Sequence, residues 1–159
     1  MKDKTIDYAL RATWQAVSRM YNEEAGKHTS TMATGFTLLS IDPDSGTPST
    51  SLGPRMGMEA TSLSRILKSM EDRGLIFREK NPDDGRSVLI NLTDFGKEMR
   101  EVSKKTVLRF NEVVKAHITE EQLKAFFEVT EIINDLIVEK KIYTIDNTPK
   151  PHKNDKKNF

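Results

Sequence analysis

Apolar residues recur at helical spacing along most of the chain. Ile6, Leu10, Trp14, Val17 and Tyr21 fall at steps of three and four, so residues 4–25 read as an amphipathic helix that Gly26 would terminate. A shorter apolar segment runs from Met32 to Ile41. Asp42-Pro43-Asp44-Ser45-Gly46-Thr47-Pro48 then breaks any helix, and residues 42–50 give no clear strand. Leu63, Ile66, Leu67 and Met70 sit at offsets of zero, three, four and seven, which predicts a helix over 59–73 closed by Gly74. The pattern then changes. Leu75-Ile76-Phe77-Arg78 and Val88-Leu89-Ile90-Asn91-Leu92 are short β-type runs flanking Asn81-Pro82-Asp83-Asp84-Gly85-Arg86-Ser87, a hairpin with a long charged loop.

Thr93 reads as the N-cap of a helix from Asp94 to about His117, with Phe95, Met99, Val102, Thr106, Phe110 and Val113 on its inner face. Thr119-Glu120-Glu121-Gln122 matches the capping box, in which the threonine and glutamine side chains satisfy each other's backbone N–H groups. The helix it opens carries Leu123, Phe126, Phe127, Thr130, Ile133 and Ile137, with Val129, Ile132 and Leu136 apolar on a further face. A terminal helix that broad calls for more than one partner, and a second copy of the chain supplies it. Residues 147–159 turn polar and basic, with two prolines, and read as a disordered tail.

Composition narrows the possible chemistry. The 159 residues fit one domain with helical extensions and suffice for a core without staples. No cysteine is present, which excludes disulfides, thiolate metal sites and thiol nucleophiles or redox switches. No apolar run approaches the roughly 18 residues of a membrane span, and Met1-Lys2-Asp3-Lys4 opens no signal peptide, so the expectation is a cytoplasmic protein. The net charge of +1 argues against a bulk polyanion binder, but not against a localised nucleic-acid site. No serine-hydrolase elbow, P-loop, zincin or dinucleotide motif occurs, so no enzyme and no cofactor are expected.

The informative span is 51–96. A short helix feeding an amphipathic one through Met56-Gly57-Met58 is a helix-turn-helix arrangement, and the hairpin after it is a wing. A helix fits the major groove of double-stranded DNA when its polar face offers short donors and acceptors to base edges. Thr61, Ser62, Ser64, Arg65 and Lys68 form such a face. Arg86 at the wing tip can reach phosphate or the minor groove, with Asp84 expected to position it. Taken alone, Arg65 and Lys68 would be an ordinary solvated face, and Thr61 and Ser62 ordinary first-turn residues; the wing favours DNA contact. Arg55, Arg73 and Arg78 are secondary candidates for phosphate, Arg73 more readily an ion-pair partner or a helix cap. Pro54 is tolerable in a first helical turn but not deep inside a helix, so the first helix of the pair is expected to start late or be distorted.

The stretch from Gly57 to Ile76, the loop Asn81–Ser87 and the run Leu92-Thr93-Asp94-Phe95-Gly96 resemble three ordered motifs of the multiple-antibiotic-resistance regulator (MarR) family: its recognition helix, its D-x-R wing and the L-T-x-x-G start of its long fifth helix. The resemblance spans roughly residues 5–140 and outside 51–96 rests on helix layout. It implies a mainly α fold with a small β-hairpin wing, in which residues 48–93 form a winged helix-turn-helix lobe and residues 1–40 with 97–142 form a helical dimerisation region. It further implies a homodimeric repressor or activator on a pseudo-palindromic operator, with a small-molecule effector bound between lobe and dimer helices. Arg11, Trp14, Met32 and Phe36 are the effector-pocket candidates, alongside Met20 and Tyr21, although such residues at helical spacing are more often core. Some relatives sense peroxide through a thiol, which this chain lacks. Glu24 and His28 have a metal-compatible spacing, but Gly26 interrupts that helix and no metal is expected. The alternative is a winged-helix adaptor that binds a protein partner instead of DNA.

Overall fold

The computed structural model describes residues 5–144. The chain divides into two compact units, residues 1–110 and 111–159. The first unit holds α1 (Ile6–Gly26), α2 (Met32–Ser40), β1 (Thr47–Pro48), α3 (Ser49–Met56), α4 (Ala60–Asp72), β2 (Ile76–Lys80), β3 (Val88–Leu92) and most of α5 (Asp94–Ala116). The second holds the end of α5 and α6 (Glu120–Val138).

The sheet is antiparallel in the order β1-β3-β2, with Ile76 opposite Leu92, Arg78 opposite Ile90 and Thr47 also opposite Ile90. Leu38 and Ile41 from the α2 end, Leu52 of α3, Leu63, Leu67 and Met70 of α4, Leu75 and Ile76, Ile90 and Leu92, and Met99 of α5 form one buried cluster. Thus α4 is held from beneath by three of its own apolar side chains, one helical turn apart, which leaves its opposite face for solvent.

Several sequence expectations need correction. Gly26 is the last residue of α1 rather than a terminator beyond it, and the left-handed position of the turn falls on Thr29, φ 55°. Residues 42–50 do contain a strand, two residues long, visible only through its pairing with β3. The proline in β1 is compatible with that edge position. Nor does α3 start late: it begins directly after Pro48 and runs through Pro54. The carbonyl that Pro54 leaves without an i+4 N–H partner belongs to Thr50, an exposed residue. At the start of α5 it is Gly96, not Phe95, that faces inward: Phe95 is 45% exposed, while Gly96 is buried against the Leu75 carbonyl. On α1, Ile6, Leu10 and Trp14 are exposed and only Tyr21 is buried, so the amphipathic stripe is covered at one end alone.

The cap readings agree with the structure. The Thr93 hydroxyl accepts the Gly96 N–H at 3.0 Å and donates to the Gly74 carbonyl, tying the start of α5 to the end of α4. Thr119 and Gln122 close the capping box of α6. No residue of α6 is buried, and Phe126, Phe127, Val129, Ile132 and Ile137 are each more than half exposed. The tail expectation, residues 147–159, lies outside the described residues. Among the described residues no helix is long and apolar enough to cross a membrane.

Candidate nucleic-acid interface and ligand cleft

α3 and α4 meet through a tight turn built on Gly57. Its φ is 61°, a region that disfavours side chains, and the Met58 N–H closes back on the Gly53 carbonyl at 3.0 Å. The next helix starts three residues later. Burial of Leu63, Leu67 and Met70 fixes its rotation, so Thr61, Ser62, Ser64, Arg65 and Lys68 are all exposed on the outer side. Arg65 makes no ion pair among the described residues. Lys68 lies 3.5 Å from Asp72, one turn along, with both side chains mostly exposed. Such a pair holds weakly and exchanges easily for a phosphate.

The wing is a loop tied by its own backbone. Asn81 is buried; its amide donates to the Ser87 hydroxyl at 2.8 Å and its side-chain oxygen accepts the Asp83 N–H at 3.0 Å. The Ser87 N–H meets the Asp84 carbonyl at 3.1 Å. The Asp84 carboxylate accepts the Arg86 backbone N–H at 3.0 Å. Asp84 therefore fixes the backbone at Arg86, while the guanidinium is exposed and has no acid partner among the described residues. Of the secondary candidates, Arg78 pairs with Glu71 at 3.3 Å, Arg55 donates to the Ser40 carbonyl at 3.3 Å, and Arg73 caps α4.

The segment 53–88 carries Arg55, Arg65, Lys68, Arg73, Arg78, Lys80 and Arg86 against Glu59, Glu71, Asp72, Glu79, Asp83 and Asp84. Despite this near-balance, no acid among the described residues forms an ion pair with the Arg65 or Arg86 guanidinium. One stands on the outer face of a helix and one at a hairpin tip.

Residues 31–88 match the model of the MarR family. The HTH-type transcriptional regulator SarZ of Staphylococcus saprophyticus is 30% identical over 137 residues, 79% of this chain and 92% of that protein. The chain belongs to the MarR family. The uncharacterized HTH-type transcriptional regulator YdgJ of Bacillus subtilis is 32% identical over 78 residues, and there the match spans only 48% of the relative's length. Among solved structures, MepR of S. aureus in complex with DNA superposes with a TM-score of 0.76 at 19% identity, covering 84% of this chain and 100% of that one. PcaV of Streptomyces coelicolor in complex with its natural ligand gives 0.70 at 22%, covering 85% and 98%. At these identities the structures establish the winged-helix fold of the MarR family.

A cleft opens in the first unit between the last turns of α1, the start of α2 and one face of α5. It spans about 440 Å³ of space, the open solvent at its mouth included. Met32 and Phe36 line it, with Tyr21, Glu24 and His28 from α1 and the turn after it, and Met99, Val102, Ser103 and Thr106 from α5. Tyr21 packs edge-on to Phe36 with ring centroids 5.6 Å apart, and burial pushes its phenol above the ordinary pKa of 10.0. Arg11 and Trp14 are not part of the lining; both are exposed, Trp14 about two turns before Tyr21. Glu24 and His28 meet at the cleft, but Glu24 pairs with Lys27, and no metal-holding group of three acids or histidines occurs among the described residues. The α5 contribution was foreshadowed by the inner-face stripe Met99, Val102, Thr106, although nothing in the sequence distinguished pocket lining from core.

Proposed function

We propose that this MarR-family chain is a non-enzymatic transcription regulator that binds double-stranded DNA as a homodimer and responds to a small molecule held in the cleft. The observation that carries the reading is the pairing of two acid-free cations with a buried-from-beneath helix. Arg65, with Thr61, Ser62, Ser64 and Lys68, faces a major groove, and Arg86 reaches the phosphate backbone or minor groove. Asp84 acts indirectly, by holding the wing backbone.

Residues 48–93 read DNA in this account, and residues 1–40 with 97–142 pair two copies. Exposed Ile6, Leu10 and Trp14 of α1 and the apolar surface of α6 support the pairing, since apolar area of this extent on a water-soluble chain calls for cover. A two-fold dimer reads a pseudo-palindrome whose half-sites lie about 10 bp apart. Effector control is supported by the cleft and by the ligand-bound state of PcaV, a protein of the same fold. An effector that binds one spacing of the two recognition helices better than another lowers DNA affinity by population shift.

Selection of bound sequences from genomic fragments tests the reading. Enrichment of a two-fold symmetric site is the expected result; absence of any enriched site at low salt would favour a protein-binding adaptor.

A further inference from the structure

We propose that the cleft selects small aromatic cations, a ring system carrying one ammonium group, over aromatic carboxylates of the same size. The inference rests on the reading of the cleft as the effector site and names the chemistry of what enters it.

The lining contains no lysine and no arginine, and its one carboxylate is Glu24. Glu24 is bound to Lys27 at 2.6 Å, yet the two side chains are 45% and 65% exposed, so an incoming cation can displace the lysine at small expense. The end of α1 at the cleft is capped: Lys27 is its C-cap residue, and the Ala25 carbonyl accepts the His28 and Ser30 N–H groups at 3.0 Å, so that helix end adds little of either sign. α2 begins there with its positive end, but two of its first three N–H groups are engaged. Met32 donates to the Asn22 side-chain oxygen at 3.0 Å and Thr34 to the Thr31 hydroxyl at 3.2 Å. An anion would therefore meet Glu24 and find two of the first three N–H groups of that helix already taken. A cation would meet Glu24 in a lining that includes the aromatic rings of Tyr21 and Phe36, a residue type that attracts positive charge. Met32, Met99 and Val102 supply apolar cover for the ring of the ligand.

The test is calorimetric titration of the full chain with naphthylmethyl-trimethylammonium, naphthylacetate and naphthylethanol. The cation is expected to bind about tenfold tighter than the carboxylate, ~1.4 kcal/mol, with the alcohol between them. Glu24→Gln should erase that order, and Glu23→Gln, outside the lining, should keep it. Lys27→Gln should tighten the cation severalfold, since it frees Glu24. Equal or tighter binding of the carboxylate, or an order unchanged in Glu24→Gln, overturns the inference and leaves the effector reading standing. If none of the three binds at millimolar concentration while the protein still shifts its operator, the effector reading itself fails, and this inference with it.

Discussion

Gly96 offers a quantitative test of how the winged helix-turn-helix elements are held. A Cβ placed there would lie 1.9 Å from the Leu75 carbonyl oxygen and 3.0 Å from its carbon. Ordinary carbon–oxygen contact begins at about 3.3 Å, so the start of α5 must retreat by about 1.4 Å. That oxygen also accepts the Thr93 N–H at 3.1 Å, and the Thr93 hydroxyl donates to the neighbouring Gly74 carbonyl. Overpacking of a filled site costs about 1–3 kcal/mol, and loss of both hydrogen bonds about 1 kcal/mol each. Gly96→Ala should thus destabilise the chain by about 3–5 kcal/mol. With a urea m-value of about 2 kcal/mol/M, the unfolding midpoint followed by helical circular dichroism should fall by about 1.5–2.5 M. Protein concentration is held fixed, because association contributes to apparent stability. Gly26→Ala is the control: no atom lies within 4 Å of its Cβ, and alanine at that helical position should stabilise by a few tenths to about 1 kcal/mol. A Gly96→Ala midpoint within about 0.5 M of the parent would refute the close-approach reasoning.

Three further outcomes follow from the same geometry. Arg86→Ala should weaken DNA binding for all sequences and flatten the plot of log K against log salt by about 0.9 for each phosphate that Arg86 neutralises, read by fluorescence anisotropy between low and moderate salt. Thr119→Ala removes one half of the capping box and should lower stability by about 1 kcal/mol in the same urea assay. Asp42 accepts N–H groups from Ser45 and Asp44, which hold its carboxyl below the ordinary 3.8. A depressed folded-state pKa stabilises above the unfolded value and loses that contribution as pH falls through the folded one. The stability gap between the parent and Asp42→Asn should therefore be largest near neutrality and close as pH drops below 3.8. A gap independent of pH would remove Asp42 from the account.

The winged helix-turn-helix elements were the most legible part of the sequence. α4 has an uninterrupted apolar stripe, a glycine turn before it and turn residues after it, and each local signal agrees with the packing. β1 was invisible because its two residues have no periodicity of their own; they become a strand only through Ile90 and Leu89, more than forty residues away. The facing of α5 was misplaced at Phe95 because periodicity alone does not register that a missing side chain allows a carbonyl to approach Gly96. Periodicity also showed that α1 and α6 are amphipathic without showing what covers them. The cleft was only half legible for a related reason: Met32 and Phe36 lie where three helices converge, whereas Trp14 shares Tyr21's stripe about two turns too early to reach it. Glu24 drew attention as half of a metal spacing, and its place in the lining gives it a different electrostatic part.

The most direct measurement of the central claim is the affinity of Arg65→Ala for the selected operator and for each single-base variant of it, set beside the same series for the parent. If α4 lies in the major groove with Arg65 on a base edge, the variant should lose about 1–3 kcal/mol of discrimination at one symmetry-related pair of positions and keep it elsewhere. A uniform loss across the whole series, or unchanged preference at every position, would contradict the assignment of α4 as the helix that reads sequence.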